Sequence, residues 1–253
     1  MNAVASPPEA AIRIVGLKKR FGDRIVLDDV SFDVAAGEVV AVLGASGAGK
    51  TTLFRCITRL AQSDSGKIFL GAHAIRTLGG RQLSIARSEI GLIFQQFNLI
   101  RRLSALDNVL VGRLGDVSTW HVMLRRFPHR DRQLALAALD RVGMLPWALQ
   151  RADSLSGGQQ QRVAIARALA QQSRFVLADE PVASLDPESA KSVLSILREV
   201  ARERMIAVLV SLHQIEFAIQ FADRVIGLRA GRMIANRPAA AFGEIDHRMI
   251  FAT

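Results

Sequence analysis

Apolar and polar residues follow two rhythms along this chain, and the changes of rhythm mark where strands give way to helices. Ile12 to Val15, Val30 to Val34, Ile68 to Leu70 and Ile90 to Phe94 are short apolar runs that predict strands. Val39 to Leu43 is unbroken, which predicts a strand buried on both faces in the middle of a parallel sheet. After Gly44 to Gly49 the period turns helical, from Lys50 to about Ala61. Between about Ser104 and Gln150 it is helical throughout, with Ser104 and Asp131 as start signals and Gly143 and Pro146 as stops. A second alternation follows: Phe175 to Ala178 as strand, then a helix from Pro187 to about Arg202, opened by Asp186. Its Val193, Ile196, Leu197 and Val200 recur on one helical face. Ile206 to Val210 and Val225 to Leu228 are further strands, with a helix from about Gln214 to Ala222 between them. Strands and helices in alternation predict an α/β fold, a parallel sheet covered on both faces.

A chain of 253 residues buries a substantial core, and one catalytic domain with a smaller inserted lobe is the natural expectation. The longest apolar stretches, such as Val39 to Leu43 and Met205 to Val210, fall far short of the roughly 18 residues needed to cross a bilayer. Residues 1–10 lack a basic segment followed by an apolar one, so the chain is expected to stay in the cytosol. The single cysteine, Cys56, sits among Leu53, Phe54, Ile57 and Leu60 and is expected to be an inert buried thiol. The net charge of +10 is scattered as Arg, with clusters at Lys18 to Arg20 and Arg125 to Arg132. With no Tyr and few other aromatics the chain lacks a base-stacking surface, and no nucleic-acid partner is expected.

Gly44-Ala45-Ser46-Gly47-Ala48-Gly49-Lys50-Thr51 fits the phosphate-loop pattern between a buried strand and a helix. Glycines let backbone N–H groups wrap the β- and γ-phosphates, the helix N-terminus adds a favourable dipole, Lys50 neutralises charge, and the Thr51 hydroxyl suits Mg²⁺. Far downstream, Phe175 to Ala178 runs into Asp179 and Glu180, two carboxylates at the sheet edge where α/β folds bind ligands. Beside such a loop, Asp179 is expected to hold Mg²⁺ through water and Glu180 to polarise the attacking water.

Leu155-Ser156-Gly157-Gly158-Gln159 resembles the signature of the ABC-type ATPases. Physically, Ser156 and the N–H groups of Gly157 and Gly158 open a helix, about Gln159 to Ala170, whose positive end grips a phosphate. The resemblance implies that this phosphate belongs to ATP held by a second copy, so that Ser156, Gly157, Gly158 and Gln159 act in trans within a homodimer. Phe21 resembles the aromatic that stacks on adenine, and the contacts continue through Gly44 to Thr51 and Thr52. Gln95, preferred over Gln96 on spacing alone, resembles the glutamine that touches Mg²⁺ and the attacking water. Asp186, in Ser184-Leu185-Asp186, resembles a residue that communicates across the dimer. His213 resembles the switch histidine at the γ-phosphate, although Ser211-Leu212-His213 departs from the usual Thr before His.

The implied architecture is a P-loop NTPase with a RecA-like parallel core sheet, an antiparallel β subdomain and an inserted α-helical subdomain. One nucleotide-binding domain would span 11–253, with its core at about 11–95 and 172–236, the helical subdomain at about 96–171, and a flexible extension over 1–10. Phe94 to Leu99, Val109 to Gly115, Trp120, Arg141 to Met144, Gln150 to Leu169, Leu177 to Pro187 and Leu212 to Gln214 narrow the resemblance to the ATP-binding subunit of phosphonate importers. That implies ATP with Mg²⁺, a transmembrane permease gripped by the stretch from Ser104 to Gln150, and a periplasmic substrate-binding protein acting indirectly. It also implies a peripheral place on the cytoplasmic face of the inner membrane. The first alternative is the same motor with another cargo: phosphite, phosphate, an amino acid or a lipoprotein. The second is a soluble ABC ATPase acting on DNA or ribosomes, against which stands the lack of a long coiled coil or a second nucleotide domain in this sequence.

Overall fold

The computed structural model describes residues 10–94, 96–115, 117 and 127–251; Gln95, Trp120 and residues 1–9 lie outside these. The core is a six-stranded sheet in the order β10-β9-β3-β8-β7-β6. It is built from β3 (Val39–Leu43), β6 (Ile90–Phe94), β7 (Phe175–Asp179), β8 (Ala207–Leu212), β9 (Arg224–Arg229) and β10 (Arg232–Pro238). All are parallel except β10, which returns antiparallel along β9. All five residues of β3 are buried, as an unbroken apolar run demands. Val39, Ala41 and Leu43 face one apolar layer with Val163, Val193 and Phe217, while Val40 and Val42 face the other with Leu53, Ile57, Ile12 and Leu17.

The second layer is roofed by an antiparallel sheet in the order β2-β1-β4-β5, with β1 Ala10–Phe21, β2 Arg24–Ala35, β4 Ser65–Leu70 and β5 His73–Ala74. β1 and β2 are much longer than Ile12 to Val15 and Val30 to Val34. Their outer positions are polar, as where Lys18 Nζ meets Asp28 Oδ1 at 3.2 Å, and register shifts break the alternation. Helix α1 (Lys50–Ile57) also stops earlier than the pattern implied. Thr58 turns its hydroxyl back onto the Phe54 carbonyl at 3.0 Å, and Arg59 adopts a left-handed φ of 54°. Cys56 on this helix is 2% exposed, and burial pushes its thiol up to about 11. At about pH 8 the native protein is therefore expected to resist iodoacetamide and to be alkylated fully once unfolded; rapid labelling of the native state would contradict this burial.

Helices α2 (Gly80–Ser88), α3 (Ala105–Val111) and α4 (His129–Arg141) precede α5 (Gly157–Ala170), α6 (Pro187–Arg204), α7 (Ile215–Phe221) and α8 (Glu244–Phe251). Ser104 caps α3, its hydroxyl accepting from the Asp107 N–H at 3.0 Å, and Asp186 caps α6 by accepting from Ser189 N–H at 2.9 Å. Asp131 is not a cap. It lies inside the first turn of α4, behind Pro128, and is 7% exposed because its Oδ1 receives the Arg113 Nε–H at 2.8 Å. Arg113 also donates to the Ala170 carbonyl at 3.1 Å, so one guanidinium ties the ends of α3, α4 and α5 together. Gly143 follows α4 at a φ of 70°, but Pro146 lies within a short 3-10 turn, Leu145–Trp147. Helix α8, which the sequence pattern did not reveal, lays Ile250 over Gly227 of β9. Among the described residues no helix is long and apolar enough to cross a membrane.

Candidate nucleotide site

The loop from Gly44 to Gly49 leaves the C-terminal end of β3 and feeds α1, and its glycines answer to packing as much as to any ligand. A Cβ on Gly44 would lie 2.5 Å from the Leu228 carbonyl oxygen. Gly49 has a φ of 107°, and a Cβ there would lie 2.7 Å from the carbonyl oxygen of Val26 on β2. The turn between β9 and β10 closes on the same peptide: a Cβ on Gly231 would meet the Val26 oxygen at 2.5 Å, and Gly231 N–H donates to Ala48 of the loop at 3.1 Å. Ala48 is buried, whereas Ala45, Ser46 and Gly47 are exposed at the mouth.

Lys50 is 5% exposed and donates to the carbonyls of Gly44 at 2.7 Å and Ala45 at 3.3 Å. Burial holds its ammonium below the usual lysine range, while the Glu180 and Asp179 carboxylates pull the other way. A cation so desolvated, at a helix N-terminus, is primed for an anion. Thr51 and Thr52 follow on the first turn of α1, the first exposed and the second half-buried.

Asp179 closes β7 opposite Ser211 of β8, and that pairing does what the sequence did not announce. The Ser211 hydroxyl donates to Asp179 Oδ1 at 2.7 Å and accepts from Glu180 N–H at 2.8 Å, fixing both carboxylate residues by one side chain. Its signal lies in the sequence two residues before His213, in the Ser211-Leu212-His213 stretch that departs from the family pattern, but only the pairing of β8 with β7 gives it a partner. Glu180 holds a left-handed φ of 52°, a conformation that costs a residue with a side chain about 1–3 kcal/mol and clusters at working sites. Its Oε1 lies 2.6 Å from His213 Nε2. Thr51, Asp179 and Glu180 open together into a cleft of about 470 Å³, along with Gln96, Asn98 and Arg55. Gln95 lies outside the described residues, whereas its neighbour Gln96 borders that cleft. Thr51 and Asp179 offer the hard oxygen donors that Mg²⁺ takes. That sparse set fits Mg²⁺, which keeps waters and substrate phosphates as its other ligands.

Ser156 caps α5 in a reciprocal box: its hydroxyl accepts from Gln159 N–H at 3.3 Å, and its own N–H donates to Gln159 Oε1 at 2.9 Å. The helix thus begins at Gly157, two residues before the expected start. Ser156 and Gly157 are exposed, and none of Ser156 to Gln159 lines the cleft of Thr51, Asp179 and Glu180. Asp186 spends its carboxylate on the α6 cap, and the Ser189 hydrogen bonds hold it below the usual carboxylate range. Phe21 ends β1 with 53% exposure, the Lys19 ammonium 4.9 Å from its ring centroid.

The model of the ABC transporter family matches residues 27–183. The chain is 50% identical over 248 residues to the phosphonates import ATP-binding protein PhnC of Cupriavidus pinatubonensis, covering 96% of this chain and 88% of that one. It is 47% identical over 234 residues to the hypophosphite import ATP-binding protein HtxD of Stutzerimonas stutzeri, covering 92% and 69%. Among solved structures, the dimeric ATP-binding cassette MJ0796 bound to ADP and Pi superposes with a TM-score of 0.79 at 31% identity, over 91% of this chain and all of that one.

Proposed function

Since the chain belongs to the ABC transporter family and is the ATP-hydrolysing subunit of an import system, we propose that it works as a head-to-tail pair. Each ATP would lie between the Lys50 loop of one copy and the Ser156 turn of the other. The observation that carries this is the exposed start of α5, set apart from the chain's own cleft: helix N–H groups suited to a phosphate have none of their own to meet. ATP then joins the copies, because its charge is satisfied only when both are present.

In this reading Phe21 stacks on adenine, the loop from Gly44 to Gly49 with Thr51 and Thr52 wraps the phosphates, and Lys50 exchanges its two carbonyl partners for phosphate oxygens. Glu180 accepts the proton of the attacking water as the new O–P bond forms at the γ-phosphorus and the bond to the bridging oxygen breaks. His213 positions the Glu180 carboxylate, Ser211 holds Asp179, and Gln95 orients the water. Thr51, Gln95 and Asp179 would hold Mg²⁺, which when bound offsets the phosphate charge. Asp186, beside the signature helix, carries contact between copies, and loss of the γ-phosphate lets them part.

The permease is taken to dock in the groove of about 640 Å³ lined by Phe94, Val111, Gly112 and Arg167, where edge strand β6 meets α3 and α5. The helical stretch at about 96–171 would then transmit the motion as one part of a single nucleotide-binding domain over 11–253. Phosphonate is the cargo that the PhnC relatives support, delivered by a periplasmic binding protein to a permease in the inner membrane, with this subunit on its cytoplasmic face. Hypophosphite, named for HtxD, is the second reading.

Ser156→Glu tests the shared site. A carboxylate there repels the partner's phosphate, so ATP is expected still to bind the single copy while ATP-dependent dimers disappear from light scattering. Turnover is expected to fall about a hundred-fold or more. Normal turnover in that variant would end the proposal.

A further inference from the structure

We propose that Arg24 is an additional nucleotide contact, a second cation that reaches the phosphate chain from the antiparallel sheet. The inference rests on the placement of base and phosphates just given and extends it to a residue outside the phosphate loop. Phe21 and Arg24 are partners across the turn Gly22-Asp23, and directly opposed residues of an antiparallel pair project from the same face. Strand β2 then runs along the phosphate loop. Val26 touches Gly49, and two residues earlier the Arg24 Nη2 lies 3.9 Å from where a Cβ on Gly47 would stand. Gly47 is exposed at the mouth of the loop, so this guanidinium hangs over the opening.

The charge of Arg24 is also unspent. Two other strand arginines, by contrast, are paired with carboxylates: Arg232 with Asp28 at 2.6 Å and Arg224 with Glu38 at 2.8 Å. The nearest carboxylate along the chain, Asp23, faces Arg20 at 3.9 Å. Among the described residues no carboxylate pairs with Arg24, which is itself exposed. A nucleotide with its base on Phe21 and its last phosphates at Lys50 must pass this group, and a planar fork of N–H donors suits the α- or β-phosphate oxygens.

Titrations of the full chain with ATP, ADP and adenosine, the last by competition against labelled ATP, decide the matter. Arg24→Ala is expected to weaken ATP and ADP about five- to twenty-fold, to leave adenosine and the melting temperature unchanged, and to flatten the salt dependence of ATP binding. Arg24→Lys should restore part of the loss. Wild-type ATP affinity in Arg24→Ala, alongside a large loss in Lys50→Ala, would overturn the proposal and leave the nucleotide site standing. An equal loss for adenosine and ATP would also overturn it, by placing the effect on the hairpin. Failure of the unaltered chain to bind ATP would instead remove the site itself.

Discussion

Glu180→Gln is expected to lower ATP turnover by about a hundred- to ten-thousand-fold while ATP binding survives. The geometry sets this expectation. Glu180 is pinned by its own N–H to Ser211 and by Oε1 to His213, so an amide of the same shape sits in the same place and loses only the ability to take a proton. Lys50 and its loop are untouched, and if ATP is shared between two copies as proposed, a pair that cannot cleave it is expected to stay closed. Steady-state turnover, together with size-exclusion chromatography in ATP, reads both effects. A variant that hydrolyses at the normal rate, or that fails to dimerise in ATP when the unaltered chain does, would remove Glu180 from the role given to it.

Asp131→Ala is expected to cost about 3–5 kcal/mol, because it takes a buried carboxylate from a buried guanidinium where three helix ends meet. Side chains of the pair are 7% and 10% exposed, so water screens little of the loss. The loss should appear as a lowered urea midpoint. It should be felt at the groove proposed for the permease, since Val111 and Gly112 lie beside Arg113. Asp131→Asn keeps the shape and is expected to lose less. A midpoint shift worth under about 1 kcal/mol in the alanine variant would show that α3, α4 and α5 hold together without this pair.

Much of this site could be seen in the sequence because its parts are local. The phosphate loop, the strand ending in Asp179 and Glu180 and the cap at Ser156 are each contiguous, and each obeys a rule of spacing that needs no knowledge of the fold. The parallel core was legible for the same reason, since a strand buried on both faces writes an unbroken apolar run, as β3 does. The roof sheet was half hidden. Its strands are buried on one face only, and Lys18, Arg20 and Asp28 interrupt them, so β1 and β2 each looked less than half as long as they are. Asp131 looked like a helix start because an acidic residue near a helix N-terminus ordinarily is one. Only the approach of Arg113 from the turn after α3 makes it an interior ion pair. Ser211 and Arg24 were missed because their significance lies in pairings across the sheet and in contact with a loop distant in the chain. Gln96, beside the residue chosen on spacing alone, borders the cleft, while Gln95 itself lies outside the described residues.

The Val26 carbonyl binds two distant glycines to one fate. A methyl group at residue 49 or at residue 231 would land on the same oxygen, so neither half of the chain tolerates change there whatever the other half does. Chimeras that join the first half of this cassette to the second half of a relative will need glycine from both parents. Swaps confined to the helical stretch leave that junction undisturbed.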